Sequence, residues 1–103
     1  MKKILLILLA GTFSLDAFSE SKGERVYNQV CFTCHDQGAF GAPKLGEISD
    51  WTDRISAGKS LLNHRAIEGY AGSVGFMPPR GGDPSLSDQE VRDAVQYMID
   101  KSW

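Results

Sequence analysis

The sequence predicts an all-α domain of four to five short helices, on three observations. Apolar residues recur at helical spacing twice, at Gly23, Val26, Tyr27 and Val30 and again at Val91, Ala94, Val95, Met98 and Ile99. No run of alternating apolar residues carries turn signals at strand spacing. Glycine and proline gather in residues 36–46 and 71–86, which read as loops between helices.

In chain order, Met1-Lys2-Lys3 precedes an apolar stretch from Ile4 to about Leu15, and Ala17-Phe18-Ser19 fits a small-x-small cleavage pattern. Residues 1–19 are therefore expected to be a secretory signal peptide and residues 20–103 the exported, periplasmic domain. The apolar stretch, roughly a dozen residues, is short for a membrane span, which needs about 20. The Gly23–Val30 stripe forms the first helix of the domain and runs into Cys31. Ser49 or Asp50 can cap a second helix through Ala57, ended by Gly58, with Trp51 and Ile55 on its inner face. Ser60 can cap a third through about Glu68, stopped near Gly69. The last helix has the strongest start: Ser87 and Glu90 make a capping box, and Leu86 with Val91 a hydrophobic staple. Gly23 has no side chain, and its simplest use mid-helix is close approach of another helix. The first and last helices are expected to cross there, near Tyr27 and Tyr97.

A domain of this size buries only about 60% of its unfolded surface, so it often needs a staple. Charge says less. Once Lys2, Lys3 and Asp16 are set aside, nine basic residues face twelve acidic ones, without a basic run. That gives no electrostatic footprint for nucleic acid.

The staple is offered by Cys31-Phe32-Thr33-Cys34-His35. As a disulfide, the pair would close a very small loop and gain little. A redox-active CxxC wants a strand-helix context, and no strand precedes Cys31. A structural zinc site wants four ligands, and the only other histidine is His64. Covalent haem attachment is the reading for which CxxCH is the signature. Cys31 and Cys34 would each add across a haem vinyl group, and His35 would supply a nitrogen to the iron. One haem c would then be a covalent part of the core, with the helices wrapped around it.

The sixth position of the iron would be filled by Met77, Met98 or His64, or be left open. Met98 lies on the apolar stripe of the last helix and reads as core. His64 falls opposite the apolar side of its helix and reads as exposed. Met77 sits in Gly75-Phe76-Met77-Pro78-Pro79-Arg80-Gly81-Gly82, where two prolines fix the backbone directly after it. Thioether is a weak donor and benefits from such pre-positioning, so Met77 is the candidate. A methionine ligand raises the reduction potential relative to two histidines.

With these motifs the chain resembles the class I c-type cytochromes, most closely the bacterial cytochrome c5 group. The resemblance runs from Gly23 to Met98. It rests on Gly23-Glu24-Arg25-Val26-Tyr27, the haem motif, Gly41-Ala42-Pro43-Lys44-Leu45-Gly46, Trp51, the Phe76–Gly82 segment, Leu86-Ser87-Asp88 and Tyr97-Met98. It implies an all-helical fold around one haem, with His35 and Met77 as axial ligands. It also implies a Pro43 carbonyl that accepts from the other ring nitrogen of His35. Leu45 and Trp51 are implied to pack on the ring, with Trp51, Arg54 and Arg80 as candidates for the haem propionates. Many members carry a cysteine pair in the loop that here holds Asp83 and Leu86, so that brace is absent.

The activity implied is electron transfer, not catalysis: a one-electron carrier working through an exposed haem edge in brief encounters. The expected partners are a quinol-oxidising complex or dehydrogenase upstream and a terminal oxidase or reductase downstream. Such interfaces are small, typically under about 1,200 Å². The alternative is a haem-based ligand sensor or small peroxidase, which only the missing loop cysteines favour.

Overall fold

The computed structural model describes residues 20–103. The expected signal peptide, residues 1–19, lies outside the described residues. Ser21 opens the first helix, its Oγ accepting from the Glu24 amide at 3.0 Å. Helix α1 (Lys22–Val26) continues through a wide π-turn (Tyr27–Cys31) into α2 (Phe32–His35). Next come α3 (Ile48–Ser56), α4 (Lys59–Glu68), a two-stranded ribbon of β1 (Tyr70–Ala71) and β2 (Phe76–Met77), and α5 (Asp88–Lys101). The all-helical expectation holds, with 3-10 turns at Ala39–Gly41 and Pro79–Gly82 inside the two stretches expected to be loops.

The π-turn has a consequence for the site. The Phe32 amide bonds the Tyr27 carbonyl five residues back, which rotates α2 by about one residue, roughly 100°. In an unbroken α-helix Tyr27 and Cys34 would share a face. Here Tyr27 packs on Trp51 and Met98, while Cys34 lines the cavity that those two residues also border. Turns of this kind recur at functional sites, and nothing in the apolar spacing announces this one.

The terminal helices cross where glycine allows it. A Cβ on Gly23 would collide with the Asp93 carbonyl and approach Tyr97 Cβ, so the backbone of α1 lies directly on α5. Val26 packs with Val91, Ala94 and Val95, joined by Leu62 and Ala66 of α4. Tyr27 packs with Trp51 and Met98, and its ring centroid is 5.4 Å from that of Tyr97. The capping box is complete: Ser87 Oγ accepts from the Glu90 amide at 3.1 Å, and Glu90 Oε1 from the Ser87 amide at 2.8 Å. Leu86 and Val91 are both buried in the same cluster.

Three expectations need correction. Helix α3 starts before Ser49, with Glu47 as its uncapped N-cap. Asp50 instead accepts from the Lys44 amide at 3.1 Å, tying down the preceding loop. Helix α4 is entered through Gly58, not Ser60. Gly58 has φ 108°, a left-handed value that lets one residue end α3 and begin α4. The β1–β2 ribbon was not expected, because two-residue strands are too short to show a period.

Gly23→Ala is expected to destabilise the loaded protein by about 1–3 kcal/mol, as overpacking does. Thermal melts will read this as a fall of roughly 4–8 °C per kcal/mol. Tyr27 gives a pH signature. Its hydroxyl is buried and finds no hydrogen-bond partner among the described residues, and burial pushes its pKa from 10.0 up to about 12. Between those values the unfolded chain has released a proton that the folded one still holds, so stability falls as pH rises. Denaturant midpoints should decline less steeply over that range in Tyr27→Phe than in wild type.

Candidate functional site

His35 is set from two directions. Helix α2 fixes its backbone, and its Nδ1 donates to the Pro43 carbonyl at 2.8 Å. A carbonyl only accepts, so the proton sits on Nδ1 and the lone pair is left on Nε2. Such a partner fixes the tautomer and raises ligand basicity. His35 is buried, and burial, with Arg54 adding to it, lowers its pKa below the usual 6.5. The ring is therefore neutral at pH 7, the state a metal ligand requires.

The carbonyl is held by a short loop whose backbone is almost fully bonded. The Leu45 amide donates to the His35 carbonyl at 2.9 Å. The Lys44 amide reaches Asp50, and the Lys44 carbonyl accepts from Trp51 Nε1 at 2.7 Å. The Gly46 amide donates to Ser102 Oγ at 2.8 Å, from 56 residues away. Ser102 is 1% exposed. Its placement just after α5 brings the end of that helix to the loop beside the histidine.

Cys31, Cys34 and His35 line a cavity of about 360 Å³. Trp51 and Arg54 of α3, and Leu62, Arg65 and Ala66 of α4, continue its wall. Val95 and Met98 of α5, Met77 and Pro78 close it further, and Phe40, Val74 and Phe76 ring the mouth as exposed side chains. The Phe40 and Phe76 ring centroids are 6.3 Å apart. The Cys31 thiol is pushed up to about 11 by burial. That is opposite to the lowered value of a redox-active cysteine, and the two thiols are not joined.

The donor set matches a haem c. Two unpaired thiols, a neutral imidazole with a free lone pair and a thioether share one largely apolar cavity. Arg54 and Arg65 on the same wall make no ion pair among the described residues, leaving two cations where carboxylates could lie. Residues 19–98 match the family model described as cytochrome C oxidase, cbb3-type, subunit III.

The chain belongs to the class I c-type cytochromes.

Cytochrome c-555 of Chlorobaculum tepidum is 39% identical over 97 residues, covering 94% of this chain and 87% of that protein. Cytochrome c5 of Ectopseudomonas mendocina is 37% identical over 70 residues, covering 66% and 76%. A chain from the crystal structure of an electron transfer complex of nitrite reductase with cytochrome c superposes with a TM-score of 0.72. It is 33% identical and covers 82% of this chain and 98% of that one. A mono-heme ferrocytochrome c from Shewanella putrefaciens gives 0.62 at 30% identity, covering 78% and 94%. The cytochrome is thus a monohaem electron carrier with covalently bound haem c, and not an enzyme.

The structure sorts the remaining site residues. Cys31, Cys34, His35, Pro43, Trp51, Arg54 and Met77 all border the cavity. Leu45 does not. It packs with Tyr27, Trp51 and Met98, because the bond from its amide to the His35 carbonyl points the loop that way. Arg80 is also off the cavity wall: its Nη1 pairs with Asp88 at 2.7 Å and donates to the Leu86 carbonyl at 3.1 Å. The expected Trp51 contact with a propionate is redirected as well, since its indole N–H is taken by Lys44. Arg65 was missed, though its cation one turn from the end of α4 was visible. His64 is exposed, as its helical phase requires. The loop without the cysteine pair is closed by other means. Asp83 Oδ1 accepts from the Ser85 amide at 3.0 Å and hydroxyl at 2.6 Å, which lowers the Asp83 pKa.

Ser102→Ala would remove the partner of the Gly46 amide, a part-buried hydrogen bond. A hydrogen bond of this kind contributes about 0.5–1.5 kcal/mol. Denaturant titration should show that loss, and hydrogen exchange should show it concentrated at Gly46 and Leu45.

Proposed function

We propose that this cytochrome is an exported, periplasmic carrier of single electrons with His35 and Met77 as axial ligands and thioether attachment at Cys31 and Cys34. One observation carries the ligation: His35 and Met77 border the same apolar cavity as both thiols, with the His35 tautomer already set by Pro43. When bound, haem supplies the one-electron couple, and the protein tunes it through ligand identity, burial and hydrogen bonds. His35 offers Nε2 because Pro43 holds Nδ1–H. Met77 offers its sulfur from a strand end followed by Pro78 and Pro79. Arg54, on the cavity wall, would offer its charge to a haem propionate. The apolar walls keep water from the ligands.

Residues 1–19 act as the signal peptide and 20–103 as the cytochrome domain. The lysine-led apolar stretch supports this, and no helix among the described residues is long and apolar enough to cross a membrane. Partners are transient: a quinol-oxidising complex or dehydrogenase as donor, and a terminal oxidase or reductase as acceptor in a respiratory chain. The nitrite reductase complex of a structural neighbour supports the acceptor class.

Optical spectra of the loaded protein test the ligation. The ferric form should be low-spin with a sulfur-to-iron charge-transfer band, and the ferrous form should not bind carbon monoxide quickly. Met77→Ala should abolish the band, open the iron to carbon monoxide and lower the reduction potential. Rapid carbon monoxide binding by the wild type, unchanged in Met77→Ala, would remove Met77 from the iron.

A further inference from the structure

We propose that Tyr70 and Arg65 are positioning residues for Met77, together forming a brace that holds the methionine strand. The inference rests on Met77 being an iron ligand. Arg65 lies in the last turn of α4, and its guanidinium sits over the Tyr70 ring, 4.2 Å from the centroid. Between them Gly69 ends the helix with φ 88°, its amide bonded to the Arg65 carbonyl at 2.9 Å. The stack therefore fixes the direction in which β1 leaves α4.

Tyr70 pairs directly with Met77 across the ribbon, and Ala71 with Phe76. The Gly72 amide closes the hairpin on the Gly75 carbonyl at 2.8 Å. On the other side of Met77, the chain returns to the same point: a Cβ on Gly69 would lie 3.0 Å from Pro79 Cδ. Met77 is thus held between its pairing with Tyr70 and the packing of Pro79 against Gly69, and both anchor points belong to the end of α4. A two-stranded ribbon alone is marginal in water. A face-on cation adds attraction that the ribbon lacks. The stack is local, five residues apart, so it acts on the exit from α4 without touching the iron.

The test uses the holoprotein and follows the charge-transfer band and the rate of carbon monoxide binding to the ferrous form. Loss of an exposed cation–π contact corresponds to a roughly two- to fivefold rise in the Met77-off population. Carbon monoxide binding limited by that population should accelerate by the same factor. Tyr70→Ala and Arg65→Gln should both show it, while Tyr70→Phe, which keeps the ring, should match wild type. Arg65→Gln serves where Tyr70→Ala loads haem poorly. If wild type is closed and both variants stay as closed as wild type, the brace is wrong and the His/Met ligation stands. If wild type and Met77→Ala bind carbon monoxide alike, the ligation is wrong and the brace has nothing to hold.

Discussion

The hydrogen bond from His35 Nδ1 to the Pro43 carbonyl is the constraint on which the rest of the architecture turns. A carbonyl in a loop is a useful partner only if the loop cannot move. Four neighbouring contacts see to that, from His35 itself, Asp50, Trp51 and Ser102. They come from α2, from α3 and from the residue just after α5, so the helices are arranged around this loop as much as around their own apolar faces. Trp51 serves both. Its ring borders the cavity and packs on Tyr27, while its one polar atom holds the loop. A buried indole N–H needs such a partner.

The two sides of the cavity are built differently. The histidine side is tied by several hydrogen bonds, one of which spans 56 residues. The methionine side depends on a short ribbon, two prolines and left-handed residues at Arg80, Gly81 and Gly82. Arg80 is not glycine, and that backbone region costs an ordinary residue roughly 1–2 kcal/mol. The pairing of its guanidinium with Asp88 and the Leu86 carbonyl offsets part of that cost and anchors the turn to the start of α5. Segments with few buried contacts open most readily. In the proposed ligation, the weaker donor sits in the more loosely held segment.

Much of this was legible in the sequence because it is written locally. Apolar spacing announced the terminal helices, the Ser87–Glu90 pair announced the last helix start, and Gly23 announced the crossing. The haem motif named its own chemistry. What escaped was long-range or too short for a period. Ser102 is an ordinary residue until the fold brings it to Gly46. Asp50 read as a helix cap because its type suits one, but a loop amide claimed its carboxylate instead. Arg80 was a propionate candidate on the family resemblance alone, and in the structure a left-handed turn carries it to Asp88 at the start of α5. The π-turn leaves no periodic trace at all, yet it decides which side chains of the first helix reach the cavity.

The 56 residues that separate Ser102 from Gly46 have a bearing on timing. A polypeptide emerges N-terminus first, so Cys31, Cys34 and His35 are out long before α5 exists to close over them. Until then the Cys31 thiol has not been driven up to about 11 by burial, and its nucleophilic thiolate is more abundant. The interval before α5 docks is therefore when the Cys31 thiol is most accessible to a prosthetic group. Because the partner of the Gly46 amide lies beyond α5, that bond forms only after the whole of α5 has been made.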